Sequence, residues 1–600
     1  MRRSGLCMVK VIAGAVITIT VILMISSWMS GSISNDILPQ ISYHSKELQQ
    51  PEIKRNRHQS EKKDWHDHLG IIKQLLQDGL GEKGKPGHLD NADKVKEKEL
   101  YNANGFNAFL SDHISLNRSV PDIRYPGCQT KTYLAKLPGV SIIIPFYNEH
   151  WSTLLRSCYS ILNRSPPELI KQIILVDDKS TKDFLGEKLD NYIKKYLPKV
   201  QIVRLPERMG LIRARLAGAR KATAEVLIFL DSHVEANYNW LPPLLEPIAI
   251  NPKACVCPFI DVIAYDTFEY RSQDEGARGA FDWEFFYKRL PLLPEDLMDK
   301  TKPFRSPVMA GGLFAIATDF FWELGGYDEG LDIWGGEQYE LSFKIWMCGG
   351  ELLDAPCSRV GHIYRGSVPF RNPRKTDYLH RNFKRVAEVW MDEYKQYLYN
   401  RDPDRYENID AGNLEKQKEI RKRLHCKSFK WFLDEIAFDL VKTYPPVEPP
   451  DYAHGTIRSK AVPYLCLDTL NHKAHDVVGL FQCATNNVRP HGNQNWALSW
   501  HKDIRQKGRT TCLDVSKSTK NSPVVLYECH GQQGNQLWFY EIKNQWLVHG
   551  KNMRCLEADP KKQRVYVNNC DASNNKMKWI FGFVNETALK NYDNDTENDL

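Results

Sequence analysis

The chain has 600 residues, more than a single hydrophobic core normally fills, so two or more domains are expected. An apolar content of 42% beside 26% charged residues excludes a disordered chain. The net charge of +7 is spread over a large protein, and no basic helix with interleaved aromatics accompanies it, so nothing calls for nucleic acid as a partner.

Residues 11–29 form an uncharged, mostly apolar run of nineteen, about the length of a helix that crosses a bilayer. Arg2, Arg3 and Lys10 precede it, and no Lys or Arg occurs in the dozen residues that follow. The positive-inside rule then predicts a cytosolic tail at 1–10, a type II signal anchor at 11–29 and a lumenal remainder. Cleavage within 26–32 is the alternative, and it too leaves the bulk of the chain in a secretory compartment. Thirteen of the fourteen cysteines lie beyond the anchor, which suits an oxidising lumen. Glycosylation sequons at Asn117, Asn585 and Asn594 agree, whereas the one at Asn163 runs into Ser-Pro, a poor context.

Residues 30–100 are polar and charged, without a sustained apolar period, and read as a solvated stem. A different regime, 101–443, follows. Strands are predicted from residue 140, over 172–176, over 201–205 and over 226–230, with helical spacing between them and at 211–222. That alternation predicts an α/β domain with a parallel sheet, in which ligands bind beyond the carboxyl ends of the strands. Asp178 and Asp231 lie at two such ends. No Gly-x-Gly-x-x-Gly follows the first strand, so a dinucleotide cofactor is not indicated.

The stretch 226–237 is the centre of the domain. Its apolar strand empties into Asp231-Ser232-His233, and if the chain stays extended the carboxylate and imidazole project together as a cation clamp. Carboxylate plus imidazole, without thiolate, suits a divalent ion such as Mn2+. A lone Asp-x-His is more often a hydrogen-bonded loop pair, so the reading depends on its neighbours. Met309-Ala-Gly311-Gly312 and Trp334-Gly-Gly-Glu337 place small residues beside aromatics and acids; paired glycines let a backbone approach a ligand, although tight turns are the plainer reading. His362 offers a third ligand, although a single distant histidine is usually structural.

Residues 444–452 form a Pro-rich linker. Beyond them, 453–585 carry three copies of a unit about 45 residues long, and 586–600 are a polar tail. The copies hold Cys466-Leu-Asp468 with Phe481-Gln-Cys483 and Gln494-Asn-Trp496, Cys512-Leu-Asp514 with Tyr527-Glu-Cys529-His530 and Asn535-Gln-Leu-Trp538, and Cys555-Leu-Glu557 with Asn568-Asn-Cys570 and Met577-Lys-Trp579. Each copy places two cysteines where they can staple it internally, and three such units predict an all-β trefoil.

Taken together, Asp231-Ser-His233, Phe281-Asp-Trp283, Ala310-Gly-Gly-Leu-Phe, Trp334-Gly-Gly-Glu337, Ser358-Arg-Val-Gly-His362, Glu388-Val-Trp-Met-Asp-Glu-Tyr and the three repeats resemble the UDP-GalNAc:polypeptide N-acetylgalactosaminyltransferases, which start mucin-type O-glycosylation. Leu116-Asn-Arg-Ser, Ile144-Pro-Phe and Cys426-Lys-Ser-Phe-Lys-Trp-Phe are most similar to the type 10 branch. The resemblance implies a type A (GT-A, Rossmann-like) glycosyltransferase domain joined to a ricin-B-like β-trefoil lectin, retaining transfer of GalNAc from UDP-GalNAc to Ser or Thr of polypeptides or GalNAc-glycopeptides, and residence in the Golgi membrane.

It also implies roles. Asp231, His233 and His362 hold Mn2+; Asp178, Arg208, Ser232, Gly311, Gly312, Trp334, Arg365 and Phe370 face the donor; Glu337 and Asp231 serve the reaction; Trp283 meets the acceptor peptide. Phe370 stands where the family often has Tyr, and Val234 where it has Cys. In the lectin the second repeat binds GalNAc through Asp514, Tyr527, His530 and Asn535, the first is a weaker site, and the third is structural. Implied disulfides are Cys128–Cys357, Cys348–Cys426, Cys466–Cys483, Cys512–Cys529 and Cys555–Cys570, with Cys158, Cys255 and Cys257 free. The rival expectations are a catalytically silent lectin scaffold and a transferase for another UDP-sugar.

Overall fold

A computed structural model describes residues 61–90, 93–273, 276–369, 376–490, 492–531, 533–550 and 553–589. The apolar run 11–29, Phe370 and Asn594 lie outside the described residues. Among the described residues no helix is long and apolar enough to cross a membrane.

The α/β part is built on β1 (Val140–Phe146), α1 (Trp151–Asn163), β2 (Ile170–Asp177), α2 (Glu187–Tyr196), β3 (Val200–Arg204), α3 (Leu211–Lys221), β4 (Val226–Phe229), β5 (Val234–Ala236), α4 (Leu241–Ile250), β6 (Ala254–Ile263), β7 (Phe304–Arg305), β8 (Phe314–Ala317), α5 (Glu337–Met347), β9 (Glu351–Ile363) and α6 (Tyr378–Trp390). The main sheet runs β7-β9-β6-β8-β4-β1-β2-β3. Strands β4, β1, β2 and β3 are parallel, and β8 closes against β4 in the antiparallel sense. Order reverses at β1, between β4 and β2, and the carboxyl ends there form the crevice in which such sheets bind ligands.

Period-two burial explains the layers. Ile143, Ile174, Val176, Leu227 and Phe229 point to one face, where they meet Ile212 and Leu216 of α3 and Leu341 and Phe343 of α5. The alternate residues Ile142, Ile144, Ile173, Leu175 and Ile228 face Leu154 of α1, Leu189 of α2 and Leu244 of α4. A sheet covered on both sides needs apolar runs rather than alternation, which is what these strands have.

The folded part begins well before residue 100. Lys62–Lys63 pairs with Tyr133–Leu134, Trp65 is buried and donates its indole N–H to Leu134 O at 3.0 Å, and helices occupy His68–Leu75 and Lys94–Asn104. Reading this stretch as solvated stem was therefore wrong from 61 onward. Its anchors are isolated side chains docking on the domain, and they leave no period of their own in the sequence.

Residues 453–584 form a curled antiparallel sheet of thirteen strands. The threefold repeat is visible in three fully buried tryptophans: Trp496, Trp538 and Trp579 donate their indole N–H to Leu467 O, Leu513 O and Leu556 O at 2.9, 3.0 and 2.8 Å. Each accepting leucine follows the first cysteine of its repeat. All five expected disulfides are present, and Cys158, Cys255 and Cys257 are unpaired and buried.

Candidate active site

Strand β4 delivers Asp231 to the crevice, but the chain then turns at Ser232 and His233 before entering β5. Asp231 and His233 are thus not teeth of one extended strand, and the alternation argument fails at this step. Register does the work instead. β5 pairs antiparallel with β9 so that Val234 stands opposite His362, and Ile363 N–H donates to His233 O at 3.1 Å. His362 Nε2 then lies 3.3 Å from Asp231 Oδ2, and the rings of His233 and His362 have centroids 4.8 Å apart. Upstream, the β9–β6 pairing slips between Ala355 and Arg359, and this bulge holds Cys357, which is tied to Cys128.

Two further acids converge through one buried guanidinium. Arg215, on α3, donates to Asp231 Oδ1 at 3.2 Å, to Glu337 Oε1 at 3.4 Å and to Gly312 O at 3.3 Å. It reaches α5 because Gly210, at φ +89°, sits against the backbone of Ile333, where any Cβ would fall 2.4 Å from the Ile333 Cα. Burial opposes the charge on Asp231, yet His362 and Arg215 hold its carboxyl well below the usual carboxylate range. Glu337 is buried, at the first position of α5, and accepts from Gly335 N–H at 2.8 Å. There burial wins over Arg215, and the Glu337 carboxyl is pushed upward.

Glu149, immediately before α1, was missed by the sequence reading. It is buried, and its Oε2 accepts from Ser232 Oγ at 2.8 Å, from His233 Nδ1 at 2.9 Å and from Arg365 Nη2 at 2.8 Å. Ser232 was expected at the donor; its hydroxyl donates to Glu149 Oε2. Arg365 also donates to Asn104 O, so its guanidinium is docked on the catalytic side of the loop after β9.

Beyond the carboxyl end of β2, Asp178 accepts from Met209 N–H and Gly210 N–H at 2.6 and 2.9 Å, and the Arg208 guanidinium lies 3.5 Å over the Tyr147 ring. Gly311 and Gly312 line the other wall: a Cβ on Gly312 would fall 2.9 Å from Asp231 Oδ2. Trp334 is 52% exposed. Trp283 is 1% exposed and donates to Tyr444 O at 2.6 Å, so it belongs to the core and offers no face to a peptide, contrary to expectation.

As they stand, no three or more His, Cys, Asp or Glu side chains among the described residues surround a common point, since Asp231 and His362 are drawn together as a pair. The donor set nevertheless fits a divalent cation. Glu149 occupies His233 Nδ1, which leaves Nε2 to act as a ligand, and one carboxylate with two imidazoles is a borderline-hard set.

Profile comparisons match residues 141–325 to Glycosyl transferase family 2, 297–366 to the N-terminal domain of galactosyltransferase and 453–579 to the Ricin-type beta-trefoil lectin domain. N-acetylgalactosaminyltransferase 6 of Drosophila melanogaster is 61% identical over 89% of this chain and 81% of its own length. Polypeptide N-acetylgalactosaminyltransferase 10 of Homo sapiens is 50% identical over 88% of each. The chain belongs to the polypeptide N-acetylgalactosaminyltransferase family. A crystal structure of GalNAc-T7 with UDP, GalNAc and Mn2+ superposes with a TM-score of 0.59 at 39% identity, covering 85% of this chain and 93% of that one.

The lectin repeats of this family member differ in how their acids are used. In the second, Asp514 Oδ2 accepts from Asn535 and Gln536, while Oδ1 is buried without a partner; Tyr527 is 41% exposed and His530 Nε2 meets Asn535 Oδ1 at 3.2 Å. In the first, both Asp468 oxygens are taken, by Leu470 N–H and Gln494 at 2.7 and 2.8 Å. In the third, Asn568 and Asn574 close off Glu557 at 2.6 and 3.0 Å. A buried acceptor left open asks for a donor such as a sugar hydroxyl, and the second repeat alone combines one with an exposed aromatic ring.

Proposed function

We propose that this protein transfers GalNAc from UDP-GalNAc to Ser or Thr hydroxyls of polypeptides, including polypeptides that already carry GalNAc, and that it works in the Golgi lumen on a single-pass anchor at 11–29. The observation that carries this reading is the meeting of Asp231 and His362, 3.3 Å apart, beside a Glu337 linked to them through Arg215. The ligands of GalNAc-T7, UDP, GalNAc and Mn2+, support the same donor and cation here. The apolar run and its preceding basic residues support the membrane address.

Asp231, His233 and His362 are the residues to hold Mn2+, which when bound stabilises the negative charge gathering on the departing diphosphate. Arg215 neutralises Asp231 and Glu337 together, so two acids can share one crevice. Gly311 and Gly312 leave room for the donor against that wall, and Trp334 excludes water from the rim. Glu337 orients the sugar and offsets positive charge developing at its anomeric carbon. As the bond from that carbon to the phosphate oxygen breaks, the acceptor oxygen bonds to the carbon on the same face, and the acceptor proton passes to the departing phosphate. The products are UDP and an α-linked GalNAc-polypeptide. The second lectin repeat holds a GalNAc already on the acceptor and raises local acceptor concentration.

The test is a transfer assay over peptides and GalNAc-glycopeptides with UDP-GalNAc, UDP-GlcNAc and UDP-Gal, with Mn2+ present or chelated. Metal-dependent turnover of UDP-GalNAc above the other donors is expected. Turnover of none would leave a lectin scaffold, and a preference for another donor would reassign the sugar.

A further inference from the structure

Glu149 connects three parts of the site that arrive from distant places in the chain. Its Oε2 receives Ser232 Oγ, His233 Nδ1 and Arg365 Nη2, and its Oε1 receives His150 N–H at 3.0 Å. Its side chain is 2% exposed, so little solvent competes for those lone pairs. A carboxylate oxygen can only accept, so the nitrogen facing it must carry the proton. His233 is thereby fixed as the Nδ1–H tautomer, with the Nε2 lone pair available. Arg365 stands at the base of the loop that follows β9, where Gly366 N–H also donates to Gly105 O at 2.8 Å.

Burial works against ionisation of Glu149, but Arg365 and His233 outweigh it and keep the carboxyl well below the usual range.

We propose that Glu149 is a positioning residue for the metal centre, which sets the His233 tautomer and ring orientation and, through the same oxygen, ties that imidazole to Arg365 on the donor side. The inference rests on Asp231, His233 and His362 being the Mn2+ ligands. Carboxylate partners of ligating imidazoles raise ligand basicity and fix geometry, and losing one typically weakens metal binding by roughly 10- to 100-fold. Ser232 is tied to the same oxygen, so the middle residue of Asp231-Ser-His233 serves the centre by holding Glu149.

The experiment measures Mn2+ affinity by loss of the free-ion EPR signal, with and without UDP, on the full lumenal chain. Parent, Glu149→Gln, Glu149→Asp and His233→Ala are compared, with thermal melts as the check of folding. Glu149→Asp keeps the charge that Arg365 needs but withdraws the oxygen from Nδ1. Both Glu149 variants are expected to bind Mn2+ at least about tenfold more weakly, with the Mn2+ concentration needed for half-maximal turnover rising in step. Parent-like affinity in a folded Glu149 variant overturns the proposal and leaves the ligand set intact. Parent-like affinity in His233→Ala overturns the ligand set itself. On the parent enzyme, Mn2+ ENDOR with histidine labelled with 15N at δ1 should show only weakly coupled, remote nitrogens; a directly bonded δ1 nitrogen overturns the tautomer assignment even if neither Glu149 variant folds.

Discussion

His362 stands opposite Val234 in the antiparallel pairing of β9 with β5, and that register brings its imidazole to 3.3 Å from Asp231. A slip of one residue would turn His362 to the other face of the strand and leave Asp231 without its partner. The bulge between Ala355 and Arg359 lies just before it, and the Cys128–Cys357 bridge pins the bulge. Replacing both cysteines with Ser should therefore lower kcat more than UDP affinity, because it loosens the register that aims one ligand. Kinetics on the double variant, with UDP binding by calorimetry, give the comparison; equal losses in both would mean general destabilisation.

Arg215→Met should be the most damaging single change in the crevice that removes no ligand. It leaves the buried Glu337 and the half-buried Asp231 with no shared cation, and breaking a buried pair such as Arg215–Glu337 from one side costs about 3–5 kcal/mol. Part of that cost appears as a lower Tm, and part as a further upward push on the Glu337 carboxyl, which burial already raises. A kcat loss of at least about 100-fold is expected, with a smaller change in KM for UDP-GalNAc. Arg215→Lys should recover stability more than rate, since one ammonium cannot span Asp231, Glu337 and Gly312 O.

Much of this site was legible in the sequence, for reasons that also show where legibility stops. Buried parallel strands declare themselves as apolar runs, so Asp178 and Asp231 could be placed at strand ends before any fold was seen. Disulfide partners followed from the family resemblance, whereas the repeat boundaries followed from a period of about 45 residues in the sequence itself. Glu149 and Arg215 were not singled out, because a charged residue in an amphipathic stretch reads as a solvated face, and only packing shows that it is buried. Trp283 erred in the opposite direction: a large aromatic in a family motif was read as a binding face, while its indole N–H is committed to Tyr444 O. Trp283→Ala should accordingly cost about 3–5 kcal/mol of stability and lower the Tm of the catalytic part, with acceptor KM little changed in the fraction that remains folded.

The lectin makes a separable prediction. Asp514 keeps one buried oxygen open, whereas Glu557 spends both of its oxygens on Asn568 and Asn574. Asp514→Ala should abolish GalNAc binding by calorimetry and slow transfer to glycopeptides whose GalNAc lies far from the acceptor residue, sparing short unmodified peptides. Glu557→Ala should leave sugar binding unchanged and lower lectin stability by about 1 kcal/mol, since two half-buried amides lose their acceptor. If both variants lost sugar binding alike, the repeats would be equivalent.

Acid should loosen the trefoil through His501, whose ring stacks on Trp500 with centroids 3.7 Å apart. Burial, aided by the nearby Arg505 charge, lowers its pKa to about 4 from an ordinary value near 6.5. The folded state thus keeps this imidazole neutral at pH values where the unfolded chain protonates it. Between those two values the unfolded state binds more protons, so stability falls as pH is lowered from about 6.5 towards 4, and is unaffected above that window. Replacing His501 with Gln removes the titrating ring. The variant should show a flatter dependence of lectin Tm on pH between 6.5 and 4.5, with the parent losing a few degrees more across that interval, roughly what a ΔΔG of 1 kcal/mol produces in a domain of this size. Parallel curves for parent and variant would assign the acid sensitivity to other groups.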